Sequence, residues 1–320
     1  MMKQKIIIIS AIILLLTLVA FMVKDFFFSK PENRNPYEFE LNNVRIGDTS
    51  MTAYSETGQI KTSLEEIHGL ATDNSGRIYV SGINGVEIFE ASGKVETKFK
   101  INDTAQSIAI SENGNIFLGI RDHVEIWTNT GQQLSKWLSF GSDAVITSIA
   151  VEGNDVFVAD AGQKVVYRCD LKGNLINKIG LKDPATGVPG FIIPSPYFDL
   201  GISTDGNLWV VNPGRHSFEK YTSDGGLLTS WSKASMAMEG FCGCCNPSNF
   251  AFLNDSLFVT SEKGIERVKI YNTDGTFLAV VATPDQFEEG TTGLDLAVDN
   301  QNRILVLDPA KKLVRIFEPK

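Results

Sequence analysis

A repeating block of alternating apolar residues, broken by turn residues, organises most of this 320-residue chain. In the first copy, residues 64–99, an alternating run leads through the turn DNSG to IYV, then to VEIFE and the turn SGK. Further copies follow at 105–137, 145–179, 195–231, 247–281 and, truncated, at 292–318. A period of two residues with Gly, Asn and Asp at the breaks is typical of short antiparallel strands joined by tight turns.

The spacing of the copies predicts how these strands are arranged. The IYV-like segments begin 38 to 52 residues apart, at Ile78, Ile116, Val156, Leu208, Leu257 and Ile304. Four strands per unit at this period indicate a β-propeller, so we predict an all-β, six-bladed β-propeller over residues 43–320. The sixth copy stops after its third strand, and residues 51–62 resemble the missing end. We therefore expect this N-terminal segment to supply the outer strand that closes the ring.

Three of the copies carry a more specific pattern. GLATDNSGRIYV, LGISTDGNLWV and LDLAVDNQNRILVLD match G-L/I-A-x-D-x-x-G-x-I-Y-V, and V-x-I-F follows in several units. This pattern resembles the NHL repeat and, more loosely, the broader gluconolactonase-like and TolB-like group of six-bladed propellers. The resemblance covers about residues 50–320. It implies the fold and leaves the function open, because such proteins include protein-binding scaffolds, RNA binders and a few enzymes.

The N-terminus differs in character from the repeats. Residues 6–23, IIIISAIILLLTLVAFMV, contain no charged residue and follow Lys3 and Lys5. As a helix this run is about 27 Å long, enough for the hydrocarbon core of a bilayer. We predict a cytoplasmic stub at 1–5, a transmembrane signal anchor at 6–23, a linker at 24–42 and a propeller in the periplasm or at the cell exterior. A cleaved signal peptide is the alternative, although the run is long for one and no A-x-A-like site follows it.

Charge and cysteine content narrow the class of partner. The formal net charge is −9, which disfavours nucleic acid as a partner. Four cysteines are too few for a disulfide scaffold in a chain of this length. The partner we expect is a protein or a small-molecule ligand, besides the membrane contacted through residues 6–23.

Long loops predict where that ligand binds. The loops 180–196, 232–247 and 283–293 lead into the first strands of the fourth, fifth and sixth copies, and in a propeller they share one face. Long loops on one face commonly carry function, although they could also simply cap the channel. We predict a binding scaffold whose ligand face is formed by these loops, and we predict no catalytic residues.

A polar column is expected at the mouth of the central channel. The position before each innermost strand holds, in order, Gly69, Ser107, Ser148, Asp199, Asn249 and Asp295. Asp199, Asn249 and Asp295 offer oxygen ligands of the type that binds Ca²⁺ or Mg²⁺, with His68 nearby. A divalent cation there would suit the alternative function, a metal-dependent lactonase-like or lyase-like enzyme. The lactonase-like propellers that the chain resembles also use a first-blade glutamate, and Glu65 and Glu66 are out of register with it. A solvated polar channel mouth also explains the column, and it is the interpretation that we favour.

Three histidines and four cysteines complete the candidates. The histidines, His68, His123 and His216, come from different units, so a zinc lyase site is not expected. Cys242, Cys244 and Cys245 lie in GFCGCCNPSNF, in the middle long loop, whereas Cys169 is expected to be a lone buried thiol. A bridge from Cys242 to Cys244 or Cys245 would pin the loop. A soft metal held by these thiolates, a redox-active Cys244–Cys245 pair and plain thiols are the alternatives.

Overall fold

The computed structural model describes residues 2–28, 51–254 and 256–320, and the chain divides into two units, Met1–Val44 and Arg45–Lys320. Helix α1, Met2–Phe28, lies in the first unit. Over the described residues, no helix combines the length and the apolar character needed to cross a membrane, so the predicted span at 6–23 is not found. Most of the predicted linker at 24–42 falls outside the described residues.

The second unit is built from short antiparallel strands, as the alternating sequence predicts. In chain order they are β1 Tyr54–Lys61, β2 Ile67–Thr72, β3 Ile78–Phe89, β4 Val95–Ile110, β5 Ile116–Ile120, β6 His123–Trp127, β7 Gln133–Lys136, β8 Ile146–Glu152, β9 Asp155–Asp160, β10 Val165–Asp170, β11 Leu175–Ile179, β12 Leu200–Ile202, β13 Leu208–Asn212, β14 Ser217–Tyr221, β15 Leu227–Ser232, β16 Asn249–Asn254, β17 Leu257–Ser261, β18 Val268–Asn272, β19 Phe277–Ala282, β20 Leu296–Val298, β21 Ile304–Asp308 and β22 Leu313–Pro319.

These strands form five sheets around a central channel, which makes the unit an all-β propeller. Four sheets have four strands each, in the orders β8-β9-β10-β11, β12-β13-β14-β15, β16-β17-β18-β19 and β20-β21-β22-β1. The fifth sheet has six strands, in the order β2-β3-β4-β5-β6-β7. The inner strands β2, β8, β12, β16 and β20, with the end of β4, neighbour one another around the channel.

The number of sheets corrects the prediction of six blades. The first and second sequence units share the six-stranded sheet, because β3 and β4 are both long and hydrogen-bonded along most of their length. Ile83 pairs with Thr104, and Ala105, the next residue of β4, pairs with Ile120 of β5. Strand β4 therefore leaves the outer edge of one unit and enters the inner edge of the next as one continuous strand, although residues 101–103 pair with neither neighbour.

The sheet that contains both ends of the propeller joins distant parts of the chain. Strand β1 pairs antiparallel with β22, with Tyr54 opposite Pro319 and Lys61 opposite Leu313. The side chain of Arg315 on β22 also forms an ion pair with Glu56 on β1. Strand β1 thus provides the outer edge that the truncated last unit lacks.

Apolar side chains fill the spaces between neighbouring sheets. One such cluster is aromatic and joins β13 and β14 to β16, β17 and β18 through Trp209, Phe218, Phe250, Phe258 and Tyr271. Phe218 stacks on Phe258 with ring centroids 4.9 Å apart. These buried aromatic side chains fix the inner strands in place and thereby set the positions of the side chains at the channel mouth.

Candidate functional site

A cavity of about 950 Å³ opens at one end of the channel, on the face that carries the loops leading into the inner strands. Every sheet, or a loop leading into it, contributes to its wall. The lining residues are Glu66, Ile67, His68, Asp103, Thr104, Gln106, Arg121, Val145, Thr147, Pro196, Tyr197, Phe198, Asn249, Gly290, Thr291, Thr292, Gly293, Pro309 and Ala310. Of the three long loops, 180–196 and 283–293 reach the cavity, whereas no residue of 232–247 lines it.

His68 is the histidine that the structure brings to this cavity. Burial lowers the pKa of its imidazole, and the nearby Glu66 carboxylate, with Oε2 3.8 Å from Nε2, opposes this only in part. The ring is therefore neutral at neutral pH and can accept or donate a hydrogen bond. His123 lies elsewhere, with Nδ1 2.8 Å from Asp122, and His216 contacts the carbonyl oxygen of Asn246 at 2.9 Å.

Asp199 lies beside the cavity, directly after the lining residue Phe198, and its carboxyl group joins three inner strands. Oδ1 accepts hydrogen bonds from the Ser148 hydroxyl at 2.6 Å and the Leu200 N–H at 2.9 Å. Oδ2 accepts the N–H of Phe250, on the next inner strand, at 2.8 Å. The side chain therefore connects β12 to β8 on one side and β16 on the other.

Asp295 repeats this arrangement two positions further round the ring, beyond Asn249. Oδ1 accepts the Leu296 N–H at 2.9 Å and the Asn249 side-chain amide at 3.3 Å, and Oδ2 accepts the Leu70 N–H at 2.7 Å. The structure thus brings Asp295 and Asn249 together as the sequence column predicts. Asn249 lines the cavity, and its buried Oδ1 atom has no hydrogen-bond partner.

The two aspartates have raised pKa values. Burial raises the pKa of Asp199 to about 6, although its hydrogen bonds to Ser148 and to backbone N–H groups favour the charged form. Burial, and next the charge of Asp199, raise the pKa of Asp295 to about 7. The charge of Asp199 therefore acts on Asp295, and both pKa values lie close to neutral pH.

This hydrogen bonding bears on the predicted divalent cation. Within the part of the chain that the structure describes, no group of three or more His, Cys, Asp or Glu side chains is arranged to hold a metal ion. Each carboxyl oxygen of Asp199 and Asp295 already accepts at least one hydrogen bond from backbone N–H. The pair thus acts as a connector between inner strands, and the cation remains a prediction.

The remaining members of the column have packing roles. A side chain at Gly69 would place its Cβ 2.6 Å from the Ser81 hydroxyl and 3.1 Å from the Ile108 nitrogen, so only glycine fits where two inner strands approach closely. Ser148 serves Asp199, as described above. The buried Ser107 hydroxyl has no partner.

The cysteine loop lies on another part of the molecule's loop face. All four cysteines are free thiols: Cys169, Cys242 and Cys245 are buried, and Cys244 is exposed. The Cys244 and Cys245 sulfur atoms are 3.0 Å apart, whereas the Cys242 sulfur lies 3.9 Å from Nη2 of Arg267. Cys169 is on β10, and burial raises its pKa to about 12.

Beneath this loop lies a buried charge cluster that the sequence analysis missed. Glu262 accepts hydrogen bonds from Arg267 at 2.7 and 3.0 Å and forms an ion pair with Lys269 at 2.9 Å. All three side chains are at most 1% exposed. Lys269 also donates to the carbonyl oxygens of Gly240 at 2.6 Å and Met238 at 3.2 Å, which holds the loop against β18.

A sequence signal for this cluster exists. The second position of V-x-I-F falls on the third strand of each unit and is occupied by a charged residue in most of them. The buried members of this column are Glu87, Glu125, Glu219, Lys269 and Arg315. Charged residues that recur inside an alternating apolar strand indicate buried ion pairs or hydrogen bonds, since an unpaired buried charge is costly.

Comparison with known proteins supports the fold and leaves the family open. No protein-family model and no curated protein sequence matches the chain, so the NHL resemblance is not supported. Among solved structures, a streptogramin B lyase has 10% sequence identity and a TM-score of 0.58, with 83% of this chain and 98% of that chain covered. The virginiamycin B lyase of Staphylococcus aureus has 11% identity and a TM-score of 0.57, covering 83% and 100%.

A catalytically inactive variant of the same lyase, solved with quinupristin, has 14% identity and a TM-score of 0.53, with 82% of this chain and 88% of that chain covered. At such identities the likeness concerns the backbone and carries no site residues across. The chain is similar in fold to these β-propeller lyases.

Proposed function

We propose that this protein is a binding module that takes a small organic ligand into the cavity at the channel mouth. The cavity carries the proposal: about 950 Å³ of space, walled by every sheet, is in the range of small-molecule sites. Tyr197, Phe198 and Val145 offer apolar contact, while Arg121 and Asn249 offer polar contact. The unpartnered Oδ1 of Asn249 suits a ligand that donates a hydrogen bond.

The fluorescent anion 1-anilinonaphthalene-8-sulfonate tests this site, because it combines aromatic rings with one charge that Arg121 can pair. We expect Tyr197→Ala, which removes a ring, and Thr292→Trp, which fills space at the rim, to weaken dye binding about tenfold. Thr130→Trp is the matched control, since Thr130 is exposed on a turn that does not line the cavity. Equal dye affinity in all variants would show that the cavity is not the binding site.

A lyase-like enzyme is the second candidate function, and His68 is the observation that favours it. A neutral imidazole in a ligand-sized cavity can act as a general base, and the structures with a similar fold include lyases. Quinupristin is a suitable probe because it was present with one of those lyases. Retention of intact quinupristin would support the binding module. Conversion of quinupristin to a product would instead support a lyase-like enzyme, provided that the conversion is lost in His68→Ala.

We further propose that α1 holds the protein at a membrane, with the propeller on the extracytoplasmic side. Its described apolar side chains are exposed, among them Ile6, Leu14 and Phe21. Lys3 and Lys5 precede the apolar run and favour a cytoplasmic N-terminus. Cell fractionation tests attachment: the full chain should sediment with membranes, and a variant with Leu14→Lys and Leu16→Lys should not. Protease added to spheroplasts, in which only the cytoplasmic membrane remains intact, tests sidedness, and a protected propeller would contradict it.

A further inference from the structure

Cys244 and Cys245 form a pair with one accessible and one buried sulfur. Cys244 is exposed, whereas Cys245 is only 1% exposed. Their sulfur atoms lie 3.0 Å apart, so neither side chain needs a large movement to bring the sulfurs to bonding distance. Cys242 faces Arg267 instead, and Cys169 lies in the core between neighbouring sheets. The two adjacent thiols are therefore set apart from the other cysteines.

The surroundings of Cys245 favour a thiolate. Ser195, from the loop before β12, and Lys263, from the turn after β17, both reach its sulfur. They also contact each other, with Lys263 Nζ 3.1 Å from the Ser195 hydroxyl. Burial opposes ionisation of Cys245, but hydrogen bonds from Cys244, Ser195 and Lys263 outweigh it and lower the pKa of this thiol. The hydrogen bond to Cys245 raises the pKa of Cys244, so the shared proton stays on the exposed sulfur.

A network of hydrogen bonds fixes the pair in this position. The buried amide of Asn246 donates to the Cys242 carbonyl at 2.7 Å and to the Lys263 carbonyl at 3.0 Å. Its Oδ1 accepts the Lys263 N–H at 2.9 Å. Asn246 therefore joins the cysteine loop to the turn that carries the cation, and the lysine stays beside the pair.

We propose that Cys244 and Cys245 are a dithiol–disulfide exchange site that reduces small-molecule disulfides, a role separate from ligand binding in the cavity. Cys244, after losing its proton to solvent, attacks one sulfur of the disulfide RSSR, which breaks the S–S bond and releases RS⁻. The Cys245 thiolate then attacks the Cys244 sulfur, forms the Cys244–Cys245 bond and releases the second RS⁻. Two electrons pass from the protein to the substrate, and two protons taken up from water complete the two RSH products.

The roles of the two cysteines follow from their burial. Cys244 is the sulfur that a substrate can approach, and Cys245 is the buried resolving cysteine, whose lowered pKa favours ionisation. Lys263 is a positioning residue, because it stabilises the Cys245 thiolate and does not touch the incoming disulfide. Its loss should slow the second step more than the first, because Lys263 hydrogen-bonds to Cys245 and acts on Cys244 only through its charge.

Glutathione disulfide, added to the reduced full-length protein, tests this assignment through thiol counting and intact mass after alkylation. We expect the wild type to lose two thiols and retain no glutathione, with peptide mapping showing a Cys244–Cys245 link. In Cys245→Ser one glutathione should remain on Cys244, because nothing displaces it. In Cys244→Ser neither thiol loss nor adduct should appear at this loop.

Substitution of Lys263 tests its role through the rate of glutathione release from Cys244, which a purely structural role would not change. Lys263→Met should slow release of glutathione from Cys244 about tenfold, as expected when a hydrogen bond to a charged group is lost. Lys172→Met is the matched control, because Lys172 is exposed on a turn of another sheet. The proposal fails if the wild type keeps glutathione on Cys244, if Cys244→Ser still loses two thiols, or if Lys263→Met and Lys172→Met behave alike.

Discussion

The negative charges of two groups of buried carboxylates in this propeller are compensated in different ways. Glu262 lies between two cations, Arg267 and Lys269, where the two middle strands β17 and β18 of a sheet are joined. Asp199 and Asp295, on the inner ring, are instead contacted by backbone N–H groups, a serine and an asparagine. Both groups are held by several hydrogen bonds, so the difference lies in charge compensation alone.

That difference separates a fixed ion pair from a proton-sensitive connection. The cations beside Glu262 compensate its charge directly, and it in turn compensates theirs. The inner aspartates receive only partial charges from their donors, and the charge of Asp199 acts against that of Asp295. Their pKa values therefore rise towards neutrality, whereas carboxylates on surface turns, such as Asp73, keep pKa values below the usual range.

The largest loss of stability is expected when the carboxylate of Glu262, which lies between Arg267 and Lys269, is removed. Glu262→Gln leaves Arg267 and Lys269 buried without an anion, which should lower the free energy of unfolding by about 3–5 kcal/mol. Urea denaturation followed by tryptophan fluorescence measures this change. A loss below about 1 kcal/mol would mean that the cluster is not the fixed element described above.

A smaller effect is expected on the inner ring. Asp199→Asn turns an amide N–H₂ towards one of the backbone N–H groups of Leu200 and Phe250, which should cost about 1–3 kcal/mol. The same substitution removes a negative charge, so the pKa of Asp295 should fall below about 7. Carboxyl-carbon NMR titration measures the pKa of Asp295. An unchanged value would show that the two aspartates do not interact.

The wild type should also respond to pH through this pair. The folded pKa values of about 6 and about 7 exceed the unfolded value of about 3.9, so the folded protein binds more protons between these limits. The free energy of unfolding contributed by the pair should therefore fall as pH rises from about 4 to 7, by at most about 1.4 kcal/mol per pH unit and proton. The difference between the wild type and an Asp199→Asn, Asp295→Asn variant isolates this slope. A flat difference would contradict the raised pKa values.

The smallest change in the free energy of unfolding is expected for an exposed ion pair. This change serves as the reference for the other substitutions. Asp224 is 89% exposed and lies 2.9 Å from Arg168, which also pairs with Asp155. Asp224→Asn should change the free energy of unfolding by no more than about 1 kcal/mol, and added salt should remove most of the difference. A larger loss of unfolding free energy in urea denaturation would show that this surface pair stabilises the fold as strongly as a buried ion pair does.

Periodicity in the sequence predicted the strands, the turns and the propeller, because alternation directly reflects which faces are buried. It could not give the number of sheets. Asn84 has φ 58° within β3, and the adjacent Ile83 still pairs with Thr104, so a residue that looks like a turn does not end the pairing. Whether a turn interrupts a sheet depends on hydrogen bonds between units, which alternation does not encode.

The candidate sites were predictable only in part, for a similar reason. The column before each inner strand correctly brought Asn249 beside Asp295, since register follows from the repeat. It did not show that backbone N–H groups of the neighbouring strand occupy the aspartate oxygens. The surroundings of Cys245 combine Ser195 with Lys263, two residues 68 positions apart, and no spacing rule links them.

Closure of the ring by β1 has a consequence for the order of events during synthesis. Strand β1 leaves the ribosome before the rest of the propeller, yet its partner β22 is the last strand made, and 250 residues separate Thr62 from its partner Lys312. At about 5–20 residues per second the wait is on the order of tens of seconds. During that time the edge of β1 is free to pair with other chains. A nascent propeller of this design depends on whatever shields β1 until β22 has been made.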